Sequence, residues 1–354
     1  MSRKEAPRAG VIKAAVAGRI SNVQGATATV AVTSGTPLIF AGIGELVTER
    51  SGILNLGVEG MMLAGAVMGF AVAVGTRSAW MGVAIAMLAG AALALAHAVL
   101  AVTLRAEQVT AGLALALFGA GLSAFLGKPL IGIPNPVPFR AVSVPGLVSI
   151  PYIGPVLFHQ DPLVYLSYGL VVGVWWWLYR TRPGLHLRAC GESPATADAM
   201  GVKVTAIRYG TTVAGGALAG LAGGYLSLAY TPAWTEGMTS GLGWIAIALV
   251  IFATWNPLRL LAGAYLFGAV DALGFRVQLL GIETSSILLR MLPYLFTLTV
   301  LLLISVFQRR GYVPAALGRP YAARSDASSR GERRGERHGG LLLRPAQGGA
   351  GRVR

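Results

Sequence analysis

Residues 79–127 read AWMGVAIAMLAGAALALAHAVLAVTLRAEQVTAGLALALFGAGLSAFLG, two apolar runs parted only by the short polar gap that holds Arg105 and Glu107. A helix needs roughly 20 mainly apolar residues to cross the hydrocarbon core of a bilayer, and each run is long enough. The rest of the chain is built the same way. Of its 354 residues 55% are hydrophobic and 12% charged, with a mean hydropathy of +0.65; this balance excludes a water-soluble globular chain of that length. The 48 glycines fit close packing between membrane helices. The sequence therefore predicts an all-α fold, a polytopic helical bundle of about 8–10 transmembrane segments, some broken or re-entrant. The segments fall near 27–47, 53–75, 79–104, 107–127, 161–179, 205–229, 241–255, 257–275 and 287–307.

The formal charge of +15 raises a nucleic-acid partner, but the Lys and Arg gather at the two ends and in short gaps between apolar runs. That is the positive-inside pattern of a membrane protein and gives no ground for nucleic acid. Arg180, Arg182, Arg188, Lys203 and Arg208 assign 180–208 to the cytoplasm, as Arg309 and Arg310 do for the segment after 307. Four crossings separate the two, so this half is self-consistent. Counting backwards puts the Pro-rich stretch 129–160 outside, Arg105 and Glu107 inside, and the basic amino end outside, against the charge rule. The expectation is that one early segment fails to span, with 53–75, which carries Asn55 and Glu59, the suspect. Three regions result: a basic segment 1–26 without a cleavable signal, a membrane domain 27–312 with a cytoplasmic loop 180–206, and a basic tail 313–354. The tail is Arg- and Gly-rich and is expected to be disordered near anionic lipid. Cys190 is the one cysteine, a free cytoplasmic thiol on this reading, and no metal site is expected.

Within the loop, RTRPGLHLRACGESPATADAMGVKVTAIRYG (180–210) predicts a short helix over 194–200, with Ser193 as N-cap, Pro194 at the first position and Gly201 just past the end. At about 10 Å it is too short to span and too polar to sit in lipid. The plainer reading is a capped connector; the sharper one is a knob for a partner's groove. Gly191-Glu192-Ser193-Pro194 followed by Ala197-Asp198-Ala199-Met200-Gly201 resembles the coupling loop of ABC-importer permeases of the branched-chain amino acid and sugar group. The resemblance implies that Gly191, Glu192, Ser193, Pro194, Ala197, Met200 and Gly201 dock on an ATPase subunit. No G-x-x-x-x-G-K-[ST] motif occurs, so ATP and Mg belong to that partner and the chain itself carries no cofactor.

Residues 36–66, TPLIFAGIGELVTERSGILNLGVEGMMLAGA, are similar to the hallmark of the nucleoside and simple-sugar branch of these permeases. Tyr230-Thr231-Pro232-Ala233-Trp234-Thr235-Glu236-Gly237-Met238, with Trp244-Ile245-Ala246 and Phe252-Ala253-Thr254-Trp255-Asn256-Pro257, resembles the nucleoside importers in particular. The likeness runs over about 30–321. Read from the residues alone, ionisable groups inside a membrane face a cavity, a partner or an interface. If helical, Glu45 and Glu49 share a face, as do Asn55 and Glu59, and these groups suit ribose hydroxyls, while Trp234, Trp244 or Trp255 suits a base. The plainer readings are pairing with Arg50, helix capping, and an interfacial aromatic belt. The expected pathway residues are Asn55, Glu59 and Trp234, then Glu45, Trp255 and Asn256. Asp271 reads as a partner of Arg276 or as a pathway group, His97 as a packed or hydrogen-bonded residue, and the glycines at 216, 220, 224, 65 and 69 as packing stripes.

The resemblance thus implies a permease subunit of an ATP-driven nucleoside importer in a bacterial cytoplasmic membrane, with no catalytic residues of its own. Its implied partners are ABC ATPase subunits, a second permease subunit (a heterodimer with a longer relative, or a homodimer), an extracytoplasmic solute-binding lipoprotein and membrane lipid. Simple sugars are the alternative solute. An ion-coupled secondary transporter calls for an internal inverted repeat, which is not visible. A membrane enzyme calls for motifs such as His-Glu-x-x-His or G-x-S-x-G, which are absent.

Overall fold

The computed structural model describes residues 6–151, 153–279, 291, 292, 294–299, 302 and 313–321; the side chains of 6–26, 275, 276, 278 and 279 are outside that description. In chain order the helices are α1 (Ala6–Arg50), α2 (Val58–Thr76), α3 (Ala79–Ala98), α4 (Gln108–Gly127), α5 (Ile153–Leu157), α6 (Pro162–Arg180), α7 (Arg182–Glu192), α8 (Pro194–Ala199), α9 (Val204–Tyr225), α10 (Leu242–Phe252) and α11 (Pro257–Leu279). Single π turns extend α3 over Val99–Thr103 and α9 over Leu226–Tyr230. Among the described residues the strands are two short ones, β1 (Val142–Ser143) and β2 (His159–Gln160), paired antiparallel in the 128–160 loop. That loop is pinned to the bundle where Asn135 N–H donates to Pro232 O (3.1 Å) and Phe139 N–H to Leu228 O (3.1 Å).

Among the described residues, six stretches are long and apolar enough to cross a membrane: Thr27–Arg50, Val58–Thr76, Ala79–Thr103, Gln108–Leu130, Pro162–Arg180 and Val204–Tyr230. The fold is a polytopic helical bundle, as expected. Of the segment expected at 287–307, residues 291, 292, 294–299 and 302 are described and helical; the remainder, Arg309, Arg310 and the tail from 322 to 354 lie outside the described residues.

The early crossings differ from expectation. Segment 53–75 holds α2, which at 19 residues is long and apolar enough to span, and the break is confined to the turn 51–57 before it. The two polar residues that cast doubt on it, Asn55 and Glu59, are both buried in protein, so neither meets lipid. The segment expected to cross at 241–255 is instead the 11-residue α10, too short for a full crossing, so the four crossings counted after 208 reduce to three expected segments and one half helix. Arg50, at the end of α1, lies against Gly191 at the end of α7, so α1 runs toward the face that carries α7 and α8. Its amino-terminal end belongs to the opposite face. Asn55 is not helical, so it shares no helix face with Glu59. Residues 313–321, counted above with the tail, pack on the α8 face, where Ala316 N–H donates to Gly191 O (2.9 Å) and Gly318 N–H to Gly52 O (3.2 Å).

Small residues set the spacing of the central helices. A Cβ on Gly90 of α3 would lie 2.1 Å from Gly216 O, one on Gly220 of α9 2.1 Å from Ala86 O, and one on Gly65 of α2 2.3 Å from Gly220 O. The expected glycine stripes are thus the contact surface of α2, α3 and α9. Lipid is as apolar as the side chains, so close backbone approach supplies much of the association here. His97 belongs to the same packing, its Nε2 3.0 Å from Leu54 O.

Gly90→Val is expected to destabilise the bundle by about 1–3 kcal/mol or more through overpacking, read as a lower midpoint of thermal unfolding in detergent. Gly75→Ala, with nothing within 4 Å of its Cβ, is expected to leave the midpoint in place. Equal midpoints for the two variants would show that close approach does not set the stability of this interface.

Candidate functional site

Two breaks in the helices meet inside the bundle. The first is 51–57. The Ser51 and Gly52 N–H groups close α1 on Thr48 O and Glu49 O (3.0 and 2.9 Å), and Gly52 takes φ +93°, a conformation other residues rarely adopt. Asn55 then shapes the return: its Oδ1 accepts from Gly57 N–H (3.0 Å) and its own N–H donates to Glu45 Oε1 (3.0 Å).

The second break is 231–241, ahead of α10. At 11 residues α10 is about 16 Å long, half of what a crossing requires. Its first N–H groups therefore emerge inside the bundle, where water is scarce. Glu59 satisfies them. Its Oε1 accepts from Thr239 Oγ1 (2.5 Å) and Gly241 N–H (2.9 Å), and its Oε2 accepts from Gly243 N–H (2.7 Å). A carboxylate there also meets the positive end of the α10 dipole.

The other expected pathway residues are placed as ties between elements. Trp255 Nε1–H donates to Glu49 Oε2 (2.5 Å), and Trp255 O accepts from Arg50 Nη2 (3.1 Å). Asn256 Oδ1 caps α11, accepting from Leu258 N–H (2.9 Å) and Arg259 N–H (3.4 Å). Trp234 is buried with Val67 and Phe70 against Gly127, where a Cβ would overlap its ring. Glu45 holds Asn55 as described. None of the six lines the cavity that the second break helps to form.

That cavity, ≈ 680 Å³, lies between the outer half of α1, the π turn after α9, the 231–241 segment, the first turn of α10, and α11. Pro37 of α1 lines it and deprives Thr33 O of its helical donor. The polar wall consists of Ser34, Tyr230, Thr231, Thr235, Glu236, Ser240, Asp271 and Tyr294, with Thr239 held by Glu59; no Lys, Arg or His is among its described lining residues. Tyr230 and Asp271 share one wall of the cavity, near enough to interact, and Tyr294 donates to Ser240 O. The Arg276 side chain lies outside the described residues. The quoted motif 230–238 does reach the cavity, through its Tyr, Thr and Glu residues and not through Trp234. A second cavity of ≈ 490 Å³, walled by Trp177, Leu187, Ile207 and Leu218 among others, offers a polar solute few partners.

At the α8 face the expected short helix is present as α8, Pro194–Ala199, with Gly201 at φ +82°. The Ser193 hydroxyl shares a hydrogen bond with Thr196 Oγ1 (2.7 Å) and leaves the backbone uncapped. Gly191 and Ala197 face inward, whereas Glu192, Ser193, Gly201 and above all Met200, 80% exposed, face out; Pro194 is half-buried. Cys190 is free but buried, and burial pushes its thiol pKa up, the Arg208 charge opposing in part; such a thiol is inert. Tyr321 donates to Asp198 Oδ2 (2.9 Å). Burial, then that bond and the Asp198 charge, push its phenol up to about 12, so it remains a donor.

Residues 27–304 match the family described as "Branched-chain amino acid transport system / permease component". Over 259 residues the chain is 46% identical to a putative glucose ABC transporter permease protein of Haloferax volcanii, covering 71% of this chain and 77% of that one. It is 33% identical to a guanosine ABC transporter permease protein of Bacillus subtilis (80% and 92% covered). It is 35% identical to a nucleoside ABC transporter permease protein of Lactococcus lactis (81% and 93% covered).

Glu59→Gln leaves one acceptor oxygen for three donors and is expected to cost about 2 kcal/mol, read as a lower unfolding midpoint in detergent, with Glu59→Ala lower still. An unchanged midpoint for Glu59→Ala would mean that water or another group satisfies the start of α10.

Proposed function

Since the chain belongs to the family of permease components of branched-chain amino acid-type transport systems, we propose that it forms the solute path of an ATP-driven importer of neutral, hydroxyl-rich solutes, nucleosides above all. It is a multi-pass permease of the plasma membrane. One observation carries the solute class: the inner end of a half-crossing helix is already occupied by a carboxylate. In transporters of anionic solutes, the N-terminus of such a helix points at the solute's negative group. Here Glu59 takes that place, and the cavity adds Asp271 and Glu236 without a described basic side chain. An anionic solute would meet only like charge. Hydroxyls, by contrast, would find acceptors in Asp271 and Glu236 and donors or acceptors in Ser34, Thr231, Thr235 and Ser240, while Tyr230, Phe267 and Tyr294 offer ring faces for a base. The nucleoside permeases of Bacillus subtilis and Lactococcus lactis support this reading over more than nine-tenths of their own length. The Haloferax relative, higher in identity and named for glucose, favours a simple sugar as the second reading.

The energy comes from a separate ATPase subunit, which docks on α7 and α8 through Glu192, Ser193, Pro194, Met200 and Gly201, with Gly191 and Ala197 setting the shape beneath. A solute-binding protein delivers to the opposite mouth, beside the 128–160 loop. A second permease subunit completes the pathway, as a heterodimer with a related chain.

Labelled guanosine uptake by cells holding the complete importer is expected to be competed by unlabelled nucleosides, and about tenfold or more less well by the same nucleosides as 5′-monophosphates. Competition by glucose or ribose but not by nucleosides transfers the assignment to the sugar reading, and equal competition by the monophosphates refutes the charge argument. Asp271→Asn is expected to raise the KM for uptake by about tenfold, with the binding protein's own affinity, titrated separately, unchanged; an unaltered KM removes Asp271 from the path.

Met200→Asp places a charge on a side chain that touches little of its own chain, so stability is expected to hold within about 0.5 kcal/mol. Solute-stimulated ATP hydrolysis by the purified complex is expected to fall at least about tenfold, because an apolar contact is exchanged for a desolvated charge. Full stimulation would place the ATPase contact elsewhere.

A further inference from the structure

The short segment 313–321 bonds to α7, α8, α9 and the 51–57 turn at the α8 face. Ala316 N–H donates to Gly191 O at the end of α7 (2.9 Å), and Gly318 N–H donates to Gly52 O in the first break (3.2 Å). Arg319 O accepts from Arg208 Nη1 of α9 (3.4 Å), and the same guanidinium donates through Nε to Ser51 O (3.2 Å). Tyr321 completes the set: its hydroxyl donates to Asp198 of α8 (2.9 Å), and its ring lies beneath the Arg208 guanidinium, 5.8 Å from centroid to Cζ. Arg208 is 1% exposed, a cation held mainly by carbonyls and a ring. A buried charge of this kind makes a stiff node, because any displacement strips it of partners it cannot replace from solvent.

Alone, α8 is a poor lever. It has six residues, an uncapped start and one inward side chain, Ala197, in the small cluster with Cys190 and Val204. A push on α8 would be absorbed by the loops on either side of it. Through Tyr321, however, α8 is tied to Arg208 and from there to Ser51, and the Ser51–Gly52 turn leads through Asn55 to Glu59, which holds the start of α10 at the cavity.

We propose that residues 314–321 form a positioning strap that couples α8 to the Ser51–Gly52 turn, so that movement of α8 driven by the ATPase reaches the start of α2 and α10. The inference rests on α8 being the docking helix. Tyr321 touches neither solute nor nucleotide; it acts through Asp198 and Arg208. The strap gives the residues after the last membrane segment a mechanical task distinct from that of the tail beyond 321.

The test is a split between two rates in the assembled complex reconstituted with its ATPase and binding protein. Tyr321→Phe removes one hydroxyl and leaves the ring in place. Solute transported per ATP hydrolysed is expected to fall about tenfold, the scale of a hydrogen bond to a charged group, at unchanged basal hydrolysis. Asp198→Ala is expected to do the same, and the double variant no worse than Asp198→Ala alone, since both remove one bond. Gly318→Val is the independent probe: its Cβ meets nothing within 4 Å, but its φ of +72° strains any β-branched residue, so it loosens the strap without touching Tyr321 or Asp198. Normal transport per ATP in both Tyr321→Phe and Gly318→Val overturns the proposal, as does additivity in the double variant. Met200→Asp separates the two layers of inference. If it too behaves as wild type, the docking of α8 is the premise that failed; if it is uncoupled while Tyr321→Phe is not, the strap alone is wrong.

Discussion

Glu59 accepts three hydrogen bonds from a segment some 180 residues away, and this contact makes an interrupted helix possible inside a bilayer. Lipid offers no donor or acceptor, so each free N–H at a helix start must find a protein partner. The first turn of α10 finds one carboxylate with both oxygens engaged. The interaction fixes where α10 begins and holds the 231–241 segment clear of the bundle axis, leaving room for a cavity between α1, the end of α9 and α11. It also fixes where α2 begins, because Glu59 lies in the first turn of α2 and the turn before it is shaped by Asn55. The irregular stretch ahead of α10 thus depends on a residue in the first turn of α2.

The glycine contacts make this geometry rigid. With backbone atoms of α2, α3 and α9 separated by little more than hydrogen, no side chain can rotate to relieve a misfit between them. Displacement of one helix is therefore passed to the next as a slide or a tilt. The irregular elements lie at the edges of this block: the π turn that ends α9 at the cavity, the half helix α10, and the 51–57 turn at the α8 face. The regular helices form the frame and the broken ones the parts able to rearrange, which is the division expected of a path that opens to each side in turn.

Most of the frame was legible in the sequence. Length and hydropathy marked six of the nine expected segments to within a few residues, because α3 and α4 are apolar all round and a membrane helix needs little more, whereas 241–255 holds only the half helix α10. The short helix 194–199 was legible from Pro194 and Gly201, since their backbone preferences act locally. Ser193 misled in one respect, its hydroxyl pairing with Thr196. The site was harder. Polar residues inside the bundle were marked by their cost in lipid, and Glu45, Glu49, Asn55 and Glu59 are buried as that cost requires, but cost alone does not distinguish a carboxylate that binds solute from one that caps a neighbouring helix. Asn55, Glu59, Glu45 and Trp255 spend their hydrogen bonds on other elements across 10 to more than 200 positions of chain, pairings that no local pattern encodes. Asp271 and Tyr230 were visible, one as an acid in an apolar run and the other at the head of a motif, and only the fold brings them to one wall.

The topology of the first crossing follows the same reasoning. A rule based on Lys and Arg predicts the side of a terminus from electrostatics alone, and for 1–26 it pointed one way while helix parity pointed the other. What the structure does fix is the direction of α1 within the bundle, because the contacts at its far end are specific. Arg50 donates to Trp255 O, Gly52 accepts from Gly318 and Gly191 admits no Cβ beside Arg50 O. An inverted α1 would forfeit each of these, along with the burial of Glu45 and Glu49. The buried polar groups of α1 have partners along its whole length, from Ser34 on Gly268 O to Glu49 on Trp255, so its direction relative to α2, α9 and α11 is set by many bonds at once, each worth about as much as the bias of a single basic residue near an anionic surface.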